Sequence, residues 1–244
     1  MNRVTYIDHS GFLLELSDAY FLFDYYKGDI PIKDKRKEII VFISHKHQDH
    51  YNPKIFELAE QYTNIKYVIP KGTPINKFVN HYKELITPID LYSKIVLVKH
   101  NAIYELEMSN NRLLRIETLK STDCGVAFLI FYQGKTYYHA GDLNLWLWEE
   151  ETEQDNAIMR EKYFRQLDKL KNKKIDLAFV PLDPRQGKYM YDGLLSFINL
   201  TECKSIFPMH MWNRYDVIRM FLESYPQYDK LIRCIQREGQ VFEE

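Results

Sequence analysis

The segment "EIIVFIS" (38–44) is β-branched and almost wholly apolar, the pattern of a strand covered on both faces. It runs straight into His45-Lys46-His47-Gln48-Asp49-His50, so three of the chain's eight histidines and an aspartate fall within six positions at the end of a buried strand. No other stretch restricts the fold as much, because a buried strand must deliver these side chains to one place. In extended chain, residues two apart point the same way, so His45 and His47 can grip one ion. Asp49 and His50 fall past the bend and can face a second. Imidazole and carboxylate without thiolate suit zinc, iron or manganese. A solvated polar loop would also account for this cluster taken alone.

Three further segments repeat the arrangement. "TYY" leads to His139-Ala140-Gly141-Asp142, "SIFPM" leads to His210, and "FLF" leads to Asp24. Loops leaving one edge of a sheet converge, and ligand sites gather there. Asp142 is then placed to bridge two ions. His210 alone would read as a core histidine, and His139 as a group packing beside the site.

The surrounding pattern is mixed. "FLLEL" (12–16) and "YFLFD" (20–24) predict a β-hairpin, and "IKYVIP" (65–70) a further strand. Helices are expected from Pro53 through "PKIFELAEQY" and over "INKFVNHYKEL". The middle is β-rich: "KIVLVKH", "AIYELEM", "LLRIETL", "VAFLIFY" and "KTYYHA" follow in close succession. Residues 150–171 predict an exposed amphipathic helix with Ile158, Tyr163, Phe164, Leu167 and Leu170 on its apolar side. "IDLAFVPL" and "KSIFPMH" read as buried strands around a helical "GLLSFINL", and "VIRMFLESY" as a last helix. This order predicts two sheets faced by helices, in a single domain over 1–244.

Composition narrows the function. The formal net charge is −1 with no long run of one sign, which disfavours nucleic acid as a partner and leaves a small molecule as the expected one. No stretch approaches the roughly 18 apolar residues of a membrane helix, and the first residues lack a signal-peptide pattern. Cys124, Cys203 and Cys234 form neither a disulfide framework nor a CxxC zinc site, so a cytoplasmic location is expected. The oligomeric state is left open.

The HxHxDH motif after a buried strand, then Gly-Asp after a later one, then a lone histidine near the C-terminal part, resembles the metallo-β-lactamase fold superfamily. The resemblance runs in order from Asp24 to His210. It implies an α+β fold, a four-layer αββα sandwich of two mixed β-sheets flanked by helices. It implies that His45 and His47 bind a first metal, that Asp49, His50 and His210 bind a second, and that Asp142 bridges them. Asp24 matches an aspartate that supports the metal histidines from outside. His9, in "IDHSGFLLEL", is similar to the histidine of a hairpin found near the site in a lactonase-like branch. One departure stands out: where the superfamily supplies a third histidine, "LKSTDCGVAFLIF" has Ser121. Asp123, two residues on, is the candidate substitute.

The resemblance implies a metal-dependent hydrolase. A divalent ion, zinc first with iron or manganese as alternatives, would yield hydroxide near neutral pH to attack a small ester, lactone or phosphoester. Asp49 would orient the nucleophile, and His9 is the candidate general acid. The missing histidine sustains a rival, a non-hydrolytic metal-binding protein, sensor or redox, of the same fold. Trp146, Trp148 and Trp212 follow the site residues and suit core packing or a pocket wall. Arg185, in "PLDPRQG", is a candidate contact for an anionic substrate group.

Overall fold

The computed structural model describes residues 2–83 and 89–244. The chain folds into two compact units. The first comprises residues 1–99, 107–112 and 238–244, and the second residues 100–106 and 113–237.

The first unit is built on β1 (Arg3–Asp8), β2 (Gly11–Glu15), β3 (Ala19–Phe23), β4 (Glu38–Phe42), β5 (Ile65–Pro70) and β6 (Ile95–Val98). They lie in that order in a mixed sheet whose β1 edge is completed by a short strand, Val241–Glu243. β1, β2 and β3 are antiparallel, and β3 through β6 are parallel. All five residues of β4 are buried: Ile39–Phe42 as an apolar run, and Glu38 paired with Lys66 at 3.0 Å. Burying each such apolar side chain contributes roughly 1.5–3 kcal/mol. Because β3 and β4 run parallel, Asp24 and the His45–His50 segment leave the same edge of this sheet.

The expected helix from Pro53 is a 3-10 turn, Pro53–Glu57, followed by the four-residue α1 (Leu58–Gln61). Asn52 caps the turn by accepting a hydrogen bond from the Lys54 amide, but Tyr62 is already extended, which leaves too little length for a regular helix. α2 covers Asn76–Lys83. The end of the helix expected over "INKFVNHYKEL", Glu84 and Leu85, lies outside the described residues.

The second unit holds β7 (Ile103–Glu107) up to Leu106, β8 (Leu113–Lys120), β9 (Val126–Tyr132), β10 (Lys135–His139), β11 (Lys174–Ile175), β12 (Leu177–Pro181), β13 (Glu202–Cys203) and β14 (Ile206–Met209). Its main sheet has the order β14-β12-β10-β9-β8-β7, while β11 and β13 form a small parallel pair. β10, β12 and β14 are parallel neighbours. The loops after them, carrying Asp142, Asp183 and His210, therefore emerge at one edge.

Three helices belong to this unit: α3 (Glu153–Leu167), α4 (Asp192–Leu200) and α5 (Asp216–Ser224). The inward face of α3 is set by Asn156, Tyr163 and Leu167, and Ile158, expected on that face, points out at 42% exposure. Asn156 takes the inward place because its side chain bonds both the amide and the carbonyl of Trp148. No described helix is long and apolar enough to cross a membrane.

Candidate metal centre

In the first unit the chain turns sharply after β3. Asp24 adopts φ 38°, a left-handed conformation that only a structural demand sustains in a non-glycine residue, and its amide is tied to the Phe42 carbonyl. Its carboxylate, fully buried, accepts the Ser44 amide at 2.7 Å and the Ser44 hydroxyl at 2.6 Å. The same carboxylate lies 2.8 Å from His50 Nδ1. A carboxylate there fixes the proton on Nδ1 and leaves the His50 lone pair at Nε2.

Ser44 extends this control to a second ring. Its hydroxyl proton goes to Asp24, so its oxygen accepts from His45 Nδ1, 2.9 Å away. One buried carboxylate thus sets the tautomers of both His45 and His50. The His45 ring lies 4.6 Å from that of His47 and 4.2 Å from that of His50. His47 itself is exposed.

Beside them, His9 Nε2 lies 3.3 Å from Asp49 Oδ2, and His50 Nε2 lies 3.9 Å from the same oxygen. His9, Asp49 and His50 each offer a ligand atom within 4.8 Å of the others, and His45 and His47 do the same as a pair. Burial pushes the Asp49 carboxyl up, but contact with His9 and the charges of His50 and His9 outweigh it and hold it well below the usual range.

The second unit repeats the device with other parts. Asp183, fully buried beyond β12, lies 2.8 Å from His210 Nδ1. It also accepts the Arg185 amide at 2.9 Å, the Arg185 guanidinium at 2.6 and 3.0 Å, and the Trp212 indole N–H at 3.3 Å. Burial raises its pKa, but the bonds from His210 and Arg185 prevail and bring it down to about 2. His210 Nε2 lies 3.4 Å from Asp142 Oδ1. His210, Trp212 and Asn213 all have positive φ, a concentration of strain at one strand end.

Asp142 is positioned by the turn after β10. Gly141 takes φ 50° and donates its amide to His139 Nδ1, which gives the buried His139 its place beside the site. The Asp142 carbonyl accepts from the Trp146 indole at 2.9 Å and from the Thr122 hydroxyl at 3.2 Å. Asp123 is exposed, its amide bonded to the buried Ser121 hydroxyl in a local turn, and its carboxylate comes within 4.8 Å of that of Asp142.

The tryptophans divide. Trp146 is buried, stacked parallel to Trp148 and edge-on to His210, whereas Trp212 is 43% exposed. The guanidinium of Arg185, the candidate contact for an anionic substrate group, forks onto Asp183 and lies 4.3 Å over the Trp212 ring, with its side chain 48% exposed.

Sequence reasoning missed Asp183 and Ser44. Asp183 stands in the quoted "PLDPRQG" at a strand end, the signal that identified Asp24 and Asp142. Ser44 stands directly before the motif.

The donor chemistry fits a divalent cation: imidazoles with the far nitrogen held by a buried carboxylate, mixed with carboxylate oxygens and no thiolate.

Comparison with known proteins agrees with this reading. The family model of the beta-lactamase superfamily domain matches residues 3–158. No curated protein matches the chain. Among solved structures it is similar to Igni18, a metallo hydrolase from the hyperthermophilic archaeon Ignicoccus hospitalis, at 17% identity and TM-score 0.65 over 100% of this chain and 99% of that one. It is similar to the short form of human tRNase Z at 16% identity and TM-score 0.60, over 99% and 98%. It is also similar to CmlA, a diiron β-hydroxylase from Streptomyces venezuelae, at 10% identity and TM-score 0.60, over 99% of this chain but 54% of that one. At such identities these structures speak for the fold. The family match, which spans well over half of the chain, shows more: the chain belongs to the beta-lactamase superfamily and has its α+β fold.

Proposed function

We propose that this protein is a metal-dependent hydrolase acting on a small ester, lactone or phosphoester. The observation that carries this reading is the use of one buried carboxylate, Asp24, to fix two imidazoles so that each presents Nε2, the preparation a cation ligand needs. The proposed ligands are His45, His47, Asp49, His50, Asp123, Asp142 and His210. Zinc is the first choice for such a donor set, with iron or manganese as alternatives.

A divalent ion bound by these residues supplies Lewis acidity and makes water a nucleophile near pH 7. The chain's own groups supply orientation. Asp49, ionised and half-buried, is the proposed acceptor that orients the attacking water, and His9 belongs to the catalytic set through its contact with Asp49. Asp24 and Asp183 keep the ligand imidazoles in one tautomer throughout.

A small-molecule substrate and a cytoplasmic location complete the proposal. Human tRNase Z raises RNA as another substrate, against which the net charge of −1 argues. A second reading, a metal-binding protein without hydrolytic activity, draws on Ser121 at the position of the usual third histidine.

Metal per chain, measured by elemental mass spectrometry on untagged protein, and turnover on an ester, lactone and phosphodiester panel test the proposal together. Hydrolysis that disappears in Asp49→Ala, with the fold retained, supports it. Wild-type turnover in that variant would sink the proposed role of Asp49. Tight metal binding with no turnover on any substrate would favour the second reading.

A further inference from the structure

Two kinds of imidazole–carboxylate contact occur in this protein. His50 Nδ1 with Asp24, and His210 Nδ1 with Asp183, are both 2.8 Å, the length of a charge-assisted hydrogen bond. The second kind is made by Nε2 atoms and is longer: 3.3 Å for His9 with Asp49, 3.4 Å for His210 with Asp142, and 3.9 Å for His50 with Asp49. Ligand atoms about 2.05 Å from one zinc ion, at a tetrahedral angle, stand about 3.3 Å apart. At 3.3 and 3.4 Å, the His9–Asp49 and His210–Asp142 contacts have the spacing of donors that share a cation. His9 thus stands with His210, one of the proposed ligands.

We propose that His9 is itself a metal ligand, through Nε2, to the ion that Asp49 and His50 hold. The inference rests on the metal-centre reading above and changes the part His9 plays in it. Two imidazoles and one carboxylate then converge within the first unit, each ligand atom within 4.8 Å of the others. That set suits zinc or iron(II) and leaves coordination positions for water and further ligands.

The backbone supports the assignment. Asp8 pairs with Gly11, so His9 and Ser10 form a two-residue loop between β1 and β2. His9 has φ 50° there, at a position where glycine, asparagine or aspartate is normal, and its side chain is only 6% exposed. The left-handed turn and the burial of the ring bring Nε2 to 3.3 Å from Asp49. The turn also lies tight against the machinery: a Cβ on Gly11 would stand 3.0 Å from the Asp8 carbonyl oxygen and 3.3 Å from that of Asp24. A proton donor to a leaving group needs its N–H turned to substrate, whereas Nε2 of His9 is turned to Asp49.

The test compares wild type with His9→Gly and His9→Asn, both of which accept the left-handed backbone. Zinc and cobalt(II) dissociation constants are measured by chelator competition, and the visible absorption of the cobalt form is recorded. A lost ligand should weaken one ion by more than about 100-fold, beyond the roughly 10–100-fold that an outer partner costs. It should also shift the cobalt bands, with free imidazole restoring them in His9→Gly. Losses of 100-fold or less with unchanged bands in both variants would overturn the inference and return His9 to proton donation. A wild type that binds metal through His9 yet hydrolyses nothing keeps this inference and sinks only the hydrolase. A wild type that binds no metal sinks both.

Discussion

Asp24 and Asp183 do the same work in different surroundings. Each is fully buried, each follows a parallel strand, and each lies 2.8 Å from the Nδ1 of one histidine. Asp24 also accepts from two neutral donors, the amide and hydroxyl of Ser44. Around Asp183 the donors include a guanidinium whose own side chain is 48% exposed. A fully buried carboxylate leans on such buried donors, because bulk water cannot readily replace a lost bond. One that shares its charge with a half-exposed arginine has a partner able to rehydrate. The two units thus reach one chemical end, an imidazole with its tautomer fixed, by a rigid route and by a more forgiving one.

The comparison can be broken most directly at its two carboxylates. Asp24→Ala strands the Ser44 donors and His50 in the dry interior and should cost about 3–5 kcal/mol, lowering Tm by roughly 10 °C. Asp183→Ala should cost only about 1–3 kcal/mol, since Arg185 can turn to solvent. Each should weaken metal binding by roughly 10–100-fold. Equal losses of stability in thermal unfolding would erase the distinction.

The second unit can also be disturbed alone. A Cβ on Gly193 would run into Asn144 Oδ1, and Asn144 is bonded to Gln186, which holds the Leu145 carbonyl. Gly193→Ala should therefore cost about 1–3 kcal/mol, and metal titration should show the loss in the ion that Asp142 and His210 serve.

Ser44→Ala sharpens the contrast on the other side. It removes the relay from Asp24 to His45 while leaving His50 in place, at about 1–2 kcal/mol. Chelator competition should show one ion weakened and the other nearly unchanged. Arg185→Gln should be the mildest, with stability changed by less than about 1 kcal/mol. If it matches Asp183→Ala, the arginine is as indispensable as the carboxylate it touches.

What the sequence disclosed follows the same division. The HxHxDH run, Asp24, Asp142 and His210 were legible because each stands just past an apolar run whose strand character is local. Asp183 stands past such a run too, but the neighbouring Arg185, which forks onto it, offers a more obvious charge. Ile158 looked like part of an apolar stripe, yet Asn156 turns inward to bond Trp148, a contact that side-chain polarity alone argues against. β1 escaped notice because "RVTYID" mixes charge and apolar residues, and its pairing with Val241–Glu243 is among the most distant in the chain. His9 was identified by its hairpin, but its role depends on a distance to Asp49 that no local pattern encodes.

That distant pairing has a consequence for synthesis. β1 is made 240 residues before its outer partner, where Arg3 pairs with Glu243. At about 5–20 residues per second the wait is on the order of 10–50 s. Throughout it one edge of the strand that carries the chain to His9 has open hydrogen-bonding groups, the kind of edge that recruits foreign strands. The nascent protein therefore carries an aggregation hazard beside the turn that holds His9, and the arrival of Val241–Glu243 removes it.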